Sequence, residues 1–233
     1  MNTTHLSKGN TKTGDAASFD IPAIKTCPSR TELCAKDCYA AKLMRIYRNV
    51  NAKYERNLRL ANSKGFVLHM IEHIPSNCNM RIHVSGDYYS VEYIDKWIQI
   101  VSSRKDVTFY AYTRSWRDPS LRRSLKKLAS LPNININLSV DDETGKPKFA
   151  GADHFRWCYL SRDDTAPNWL RRDDIVFRTN HNGHKRRRQN AIKNGQTPPM
   201  SIHRLIGKVC PLERGLDVPV TCSTCRLCID KPK

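Results

Sequence analysis

Seven of the nine cysteines fall into two tight groups, Cys27, Cys34 and Cys38 near one end of the chain and Cys210, Cys222, Cys225 and Cys228 near the other. Thiolates are ligands for zinc and for iron-sulfur clusters. The first group, spaced C-x6-C-x3-C, can hold a [4Fe-4S] cubane and leave one iron without a protein ligand, so it predicts chemistry. The second can close a coordination sphere, which predicts structure or electron transfer. Its three cysteines at successive two-residue spacings and its remote Cys210-Pro211 match a ferredoxin-type loop. That favours a second [4Fe-4S] cluster over the zinc that paired C-x2-C units also suit. Zinc stays open at the first group too, with His5, His73 or His83 as a distant fourth ligand.

The chain has 233 residues, 39% of them hydrophobic, enough for one core, with or without an appendage. No run approaches the ~18 apolar residues of a membrane span, and the first twenty residues have no apolar centre of a secretion signal. The expected location is therefore the cytoplasm, with no membrane partner. A reducing compartment disfavours disulfides and leaves metal binding as the reason for clustered cysteine. Cys78 and Cys158 stand alone and read as small buried apolar groups; Cys158, between Trp157 and Tyr159 in an expected strand, is the better placed to face a pocket.

Net charge is +18, from 40 Lys and Arg against 22 Asp and Glu. The excess is concentrated. From Ile175 to Leu212 there is no acidic residue, and this stretch holds Arg178, Lys185, Arg186, Arg187, Arg188, Lys193, Arg204 and Lys208. A second excess runs from Ala35 to Ala61. Such patches are the footprint of a polyanion binder, most often nucleic acid, DNA or RNA. His181 and His184 sit among cations, where a further cation is costly and phosphate contact is the better role.

The elements that must position the cysteines follow an α/β alternation. A turn gathers the first three sulfurs, and a helix over 39–61 leads out of it. A helix at 65–74 precedes a strand at 80–84 that ends in Ser85-Gly86-Asp87. A helix at 91–103, a strand at 107–112 ending in Thr113-Arg114-Ser115-Trp116, a helix at 119–131 and a strand at 134–140 ending in Asp141-Asp142-Glu143 follow. Short strands are expected at 157–160 and 175–178. Three successive strands thus end in polar clusters, and in parallel α/β folds such ends share one face. They should meet the first cysteine loop there, with Arg114, Asp141 and Asp142 lining a substrate pocket. Arg114 and Trp116 at a strand end suit a phosphate and a stacked base, whereas Tyr110 and Tyr112 read as core. A glycine pair, Gly9 and Gly14, lacks the Lys and Ser/Thr of a phosphate loop and is rejected as one.

The three-sulfur loop before a helix and a strand-helix alternation resembles the radical S-adenosylmethionine superfamily. There the cluster's free iron takes the amino and carboxylate groups of S-adenosylmethionine, and reductive cleavage of the sulfonium gives a 5′-deoxyadenosyl radical. The spacing here departs from the superfamily's C-x3-C-x2-C, and Tyr39 follows the last cysteine where an aromatic residue usually precedes it. The run IPAIKTCPSRTELCAKDCYAAK, with SGDYYS, YTRSW and the ending VCPLERG…TCSTCRLC, more closely resembles the phage gene product 88-like family. The resemblance covers roughly residues 5 to 230. It implies a phage or mobile-element setting, hence a host cytoplasm. Against the radical enzymes, Ser85, Gly86 and Asp87 would seat the cofactor, Asp87 receiving its ammonium group; the other role for Asp87 is to cap a helix or turn.

These features predict an α/β partial barrel resembling the radical S-adenosylmethionine fold, over 21–178, preceded by a flexible segment over 1–20. A basic segment and cysteine-rich metal-binding appendage follow over 179–233. The expected function is an iron-sulfur protein that acts on or binds nucleic acid. Two rivals stand beside it: a noncatalytic nucleic-acid-binding module with structural zinc or iron-sulfur sites, and a cluster-containing nuclease.

Overall fold

A computed structural model describes residues 5–161, 166–178, 190–195, 208–211 and 220–232. Its framework is a mixed α/β arrangement around one eight-stranded sheet. The strands are β1 (Leu6–Ser7), β2 (Ala17–Phe19), β3 (Asn79–Ile82), β4 (Thr108–Thr113), β5 (Ile134–Val140), β6 (Arg156–Ser161), β7 (Ile175–Arg178) and β8 (Lys208–Val209). They lie side by side in chain order; only β1 is antiparallel to its neighbour. Parallel neighbours need long crossovers, and helices supply several of them: α1 (Glu32–Lys36), α2 (Tyr39–Ile46), α3 (Arg48–Asn62), α4 (Phe66–His73), α5 (Val91–Ser103) and α6 (Arg122–Ala129). Helices α3 to α6 pack against one another in succession, forming a layer on one face of the sheet.

Strand alternation separates two chemistries. Met80, Ile82, Phe109, Ala111, Ile134, Ile136, Leu138, Trp157, Tyr159 and Val176 belong to the core under the helices. Register aligns them across the sheet, as in Ala17 beside Met80, Met80 beside Phe109 and Phe109 beside Ile134. The intervening positions form the opposite face in rows of their own: Ser18, Arg81, Tyr110 and Asn135, then Tyr112, Asn137 and Arg156. That face is polar and aromatic, and the chain's last segment packs on it.

Three expectations change here. Within the described residues 5–20, Ala17 and Phe19 are core residues, with the Phe19 ring 5.2 Å from Phe66 and 5.9 Å from Trp97. A three-residue strand is too short to show periodicity. The C-terminal cysteines are not an appendage either. Asn135 Nδ2 donates to the carbonyls of Cys228 (2.9 Å) and Asp230 (3.0 Å), Asn137 Nδ2 to that of Cys228 (3.0 Å), and Arg156 to those of Leu227 and Asp230. The expected helix over 39–61 is two helices that turn at Tyr47, where φ is −111° and ψ 101°. The strands at 134–140 and 175–178 and the helix at 91–103 stand where periodicity placed them.

Candidate functional site

The loop carrying Cys27, Cys34 and Cys38 is clamped across the carboxyl ends of the parallel strands. Thr31 caps α1 by accepting from Cys34 N (3.0 Å), and its hydroxyl donates to Asp141 Oδ2 (2.8 Å) just past β5. Glu143 Oε1 accepts from Leu33 N (3.0 Å), so two acidic groups of one strand end hold α1. Arg117 Nη1 donates to Ser29 O (2.8 Å), and Tyr39 Oη donates to Val84 O (2.8 Å), fastening the loop to the ends of β4 and β3 as well.

At the centre is a buried ion pair. Arg114 Nη1 lies 2.6 Å from Asp141 Oδ2, with 7% and 0% of the side chains exposed. Burial pushes the Cys34 thiol up, and the Arg114 charge opposes it. Burial pushes Cys27 further, to about 12, with Asp87 and the other two cysteines adding repulsion. The three cysteines are half-buried, and burial favours the neutral thiol at Cys27 and Cys34.

Asp87 joins two strand ends. Its Oδ1 accepts from Thr113 Oγ1 (2.6 Å) and Tyr88 N (2.7 Å), and its Oδ2 from Arg114 N (2.8 Å). Burial still raises its pKa against the opposing pull of these bonds and of Ser115. It does not cap α5; Ser90 does. Gly86 has φ +90°, and a Cβ there would sit 2.4 Å from Ile21 Cγ1, so only glycine fits. Ser85 is turned to Ile21 O (2.9 Å) and holds the backbone. Asp142 is exposed and accepts from Tyr159 Oη. Asp87, Arg114 and Asp141 are thus gathered with the three cysteines, while Ser85 and Asp142 are engaged elsewhere.

Thr113 and Glu143 join the site as members of the expected strand-end clusters, whereas Asp20 and Thr31 belong to it and were missed by sequence reasoning. Asp20 Oδ1 accepts from Val84 N (2.7 Å), fixing the end of β3 beside β2. The only sequence signal for Asp20 was its place between two short apolar runs, and Thr31 had none.

The second cysteine group lines one small pocket, formed by Ile175, Cys210, Pro211, Cys222, Cys225, Leu227 and Cys228. A helical turn, Cys222–Cys225, begins at a Thr221 capping box and ends at Arg226 in the left-handed region, φ 57°. The reversal at Arg226 is what lets Cys228 return toward Cys222. Burial pushes Cys228 up to about 11, against a hydrogen bond from Tyr112 and the charges of Arg156 and Arg81. Cys158 lies buried on the sheet beside Cys228 and Cys210, as its placement between two aromatic residues suggested. The glycine loop rejected as a phosphate binder is a clasp: Cys222 N donates to Lys12 O (2.8 Å), Ser223 Oγ to Thr13 O (2.9 Å), and Thr221 comes close over Gly14.

None of the nine cysteines forms a disulfide. Among the described residues, no group of three or more His, Cys, Asp or Glu side chains is arranged to hold a metal ion. The two places bring together three thiols beside a guanidinium and four thiols around one apolar pocket.

The proposed nucleic-acid contacts are divided. Trp116 is buried, its Nε1 donating to Ser139 O (2.9 Å) and its ring stacked on Phe149, so it packs the core where base stacking was expected. Arg178 is buried as well, and Lys193 is exposed. Lys208 lies in β8. Lys185, Arg186, Arg187, Arg188 and Arg204, with His181 and His184, lie outside the described residues. No helix among the described residues is long and apolar enough to cross a membrane.

The family described as gene product 88 matches residues 2–231. The gene 88 protein of Mycobacterium phage L5 is 32% identical over 129 residues, covering 48% of this chain and 54% of that protein. The gene 88 protein of Mycobacterium phage D29 is 32% identical over 158 residues, covering 61% of this chain and 64% of its own length. The chain thus spans less than two thirds of either relative. No solved structure matches.

Proposed function

Because the chain belongs to the gene product 88 family, whose relatives above come from phages, we propose that it is a phage-type iron-sulfur protein resembling radical S-adenosylmethionine enzymes and acting on nucleic acid in the host cytoplasm. The observation that carries this reading is the placement of Cys27, Cys34 and Cys38 against Arg114, Asp87 and Asp141 at the carboxyl ends of β3, β4 and β5. Sequential parallel strand order, the connectivity of β/α barrels, supports the resemblance.

Cys27, Cys34 and Cys38 would hold a [4Fe-4S] cluster, which supplies one-electron reduction of the sulfonium of S-adenosylmethionine. Arg114 offsets negative charge on Cys34 and is itself held by Asp141. Asp87 would offer a carboxylate to a cofactor ammonium, held in place by Thr113, Tyr88 and Arg114, and Gly86 lets the chain pass close to Ile21 and Thr26. Cys210, Cys222, Cys225 and Cys228 would hold a second cluster, or zinc, in a structural or electron-transfer role. Nucleic acid as substrate rests on the net charge of +18.

The test is anaerobic purification with iron and sulfide analysis, then the spectrum of the reduced protein with and without S-adenosylmethionine. Iron, sulfide and a cofactor-dependent change that Cys34→Ser abolishes are expected. Zinc without iron overturns the cluster assignment. A cluster whose spectrum ignores the cofactor leaves the rival reading, a noncatalytic nucleic-acid-binding module. The four-thiol apolar pocket favours that rival, because a closed ligand set staples structure without a vacant coordination position.

A further inference from the structure

Helix α2 leaves the cysteine loop at once: Cys38 is its N-cap, with Sγ accepting from Ala41 N (3.4 Å). Its outward face is apolar. Tyr39 is 51% exposed, Leu43 39% and Ile46 67%, and Tyr47, where the chain turns into α3, is 50% exposed. These positions are spaced i, i+4, i+7 and i+8, one stripe of a helix. Four of the six large hydrophobic residues found exposed among the described ones are on this element.

The stripe is flanked by exposed cations, Lys42, Arg45 and Arg48, and the sequence has no acidic residue between Asp37 and Glu55. A protein partner for an apolar stripe alone would not need that charge. The chain's own acid-free stretch over 175–212 carries the same sign and is repelled by it. A polyanion that also presents flat apolar faces satisfies both halves of the pattern, which describes a single-stranded nucleic acid, phosphates to the cations and bases to the rings.

We infer that the exposed face of α2 and Tyr47 is a docking surface for single-stranded nucleic acid, laid beside the three-cysteine site so that a bound strand passes its mouth. Tyr39 links the two places, its ring in solvent and its hydroxyl on Val84 O at the end of β3. This rests on the nucleic-acid part of the proposed function and replaces Trp116 as the stacking element.

The experiment is a fluorescence-anisotropy titration of a labelled oligothymidine with the full chain at several salt concentrations. Tyr47→Ala should weaken binding about tenfold, within the range for one stacked base, and Tyr47→Phe, which keeps the ring, should not. Replacing Lys42, Arg45 and Arg48 by Gln should flatten the slope of log K against log salt by about two. Leu68→Ala, on exposed α4 surface, serves as the control and should leave affinity unchanged. Tight binding with unchanged affinity and slope in the α2 variants overturns this surface and leaves nucleic acid as a partner. No binding by the unaltered chain at low salt removes both. A dimer in sedimentation that Ile46→Asp dissociates assigns the face to a second copy and overturns the inference.

Discussion

The two cysteine groups are built on opposite principles. The first is held by charge: Asp141, Arg114 and Asp87 are buried, tied to one another and to the loop, and the thiols sit in their field. The second is held mainly by hydrogen bonds to backbone carbonyls, from the neutral Asn135 and Asn137 and from Arg156, around an apolar pocket. Charge at a strand end can stabilise a bound ionic group or a changing charge, but it is costly to leave unpaired. A hydrogen-bonded lattice under a pocket stabilises one arrangement of the chain. The difference assigns reactivity to one end of the molecule and fixation to the other.

The sharpest way to break that comparison is to unpair the charge. Arg114→Ala leaves Asp141 buried with one fewer partner and should cost ~3–5 kcal/mol of stability in denaturant unfolding. A loss below ~1 kcal/mol would place the pair with ordinary surface ion pairs and remove the contrast. Next comes Gly86→Ala, which combines a left-handed φ with a Cβ driven into Ile21. Strain and overpacking together should cost roughly 2–4 kcal/mol, again by denaturant unfolding. A near-neutral result means that the Ile21 loop moves, and that the approach at this strand end is loose.

The reach of the sequence differed between the regions for the same reason. Core strands with strict alternation, such as Ile134–Val140, were legible because every second side chain is apolar and fully covered. The meeting of Asp87, Arg114 and Asp141 was legible too, since parallel strands put their ends on one side. Asn135 and Asn137 carried a signal that passed unread: polar residues at alternate positions of a strand buried on both faces announce something packed on the second face. The break at Tyr47 had no such signal, because apolar spacing runs unbroken from α2 into α3 while only α3 is covered by the core. Trp116 looked like a surface ring because its partners, Ser139 and Phe149, are distant in sequence.

At the second region the test is milder. Asn137 Nδ2 bridges Ala111 O and Cys228 O (3.1 and 3.0 Å), so Asn137→Ala removes both bonds, leaving Cys228 O with Asn135 as donor, and should cost about 1–3 kcal/mol. Amide exchange should speed up first over 220–232 and leave the strand ends of the three-cysteine site protected. Exchange that rises equally in both regions would show them to be one cooperative unit, with no separable clasp.

A pH series tests whether acid finds the charged end first. His83, just past β3, is buried among Tyr88, Tyr93 and Trp97, its Nε2 paired with Tyr93 Oη at 2.7 Å, and burial lowers it to about 3 from an ordinary 6.5. Between those values the unfolded chain takes up a proton that the folded chain refuses. His83 therefore contributes its full stability above pH 6.5 and loses it as pH falls toward 3. The slope approaches about 1.4 kcal/mol per pH unit for one proton. Asp87 acts in the opposite sense, since burial raises its pKa and the folded form then gains protons on acidification. Unfolding free energies measured from pH 7 to pH 4 should accordingly fall in the unaltered chain and fall less steeply in His83→Gln, which hydrogen-bonds without titrating. Equal slopes would mean that the imidazole reaches water before the rest of the site opens, and that the charged end is looser than its burial implies.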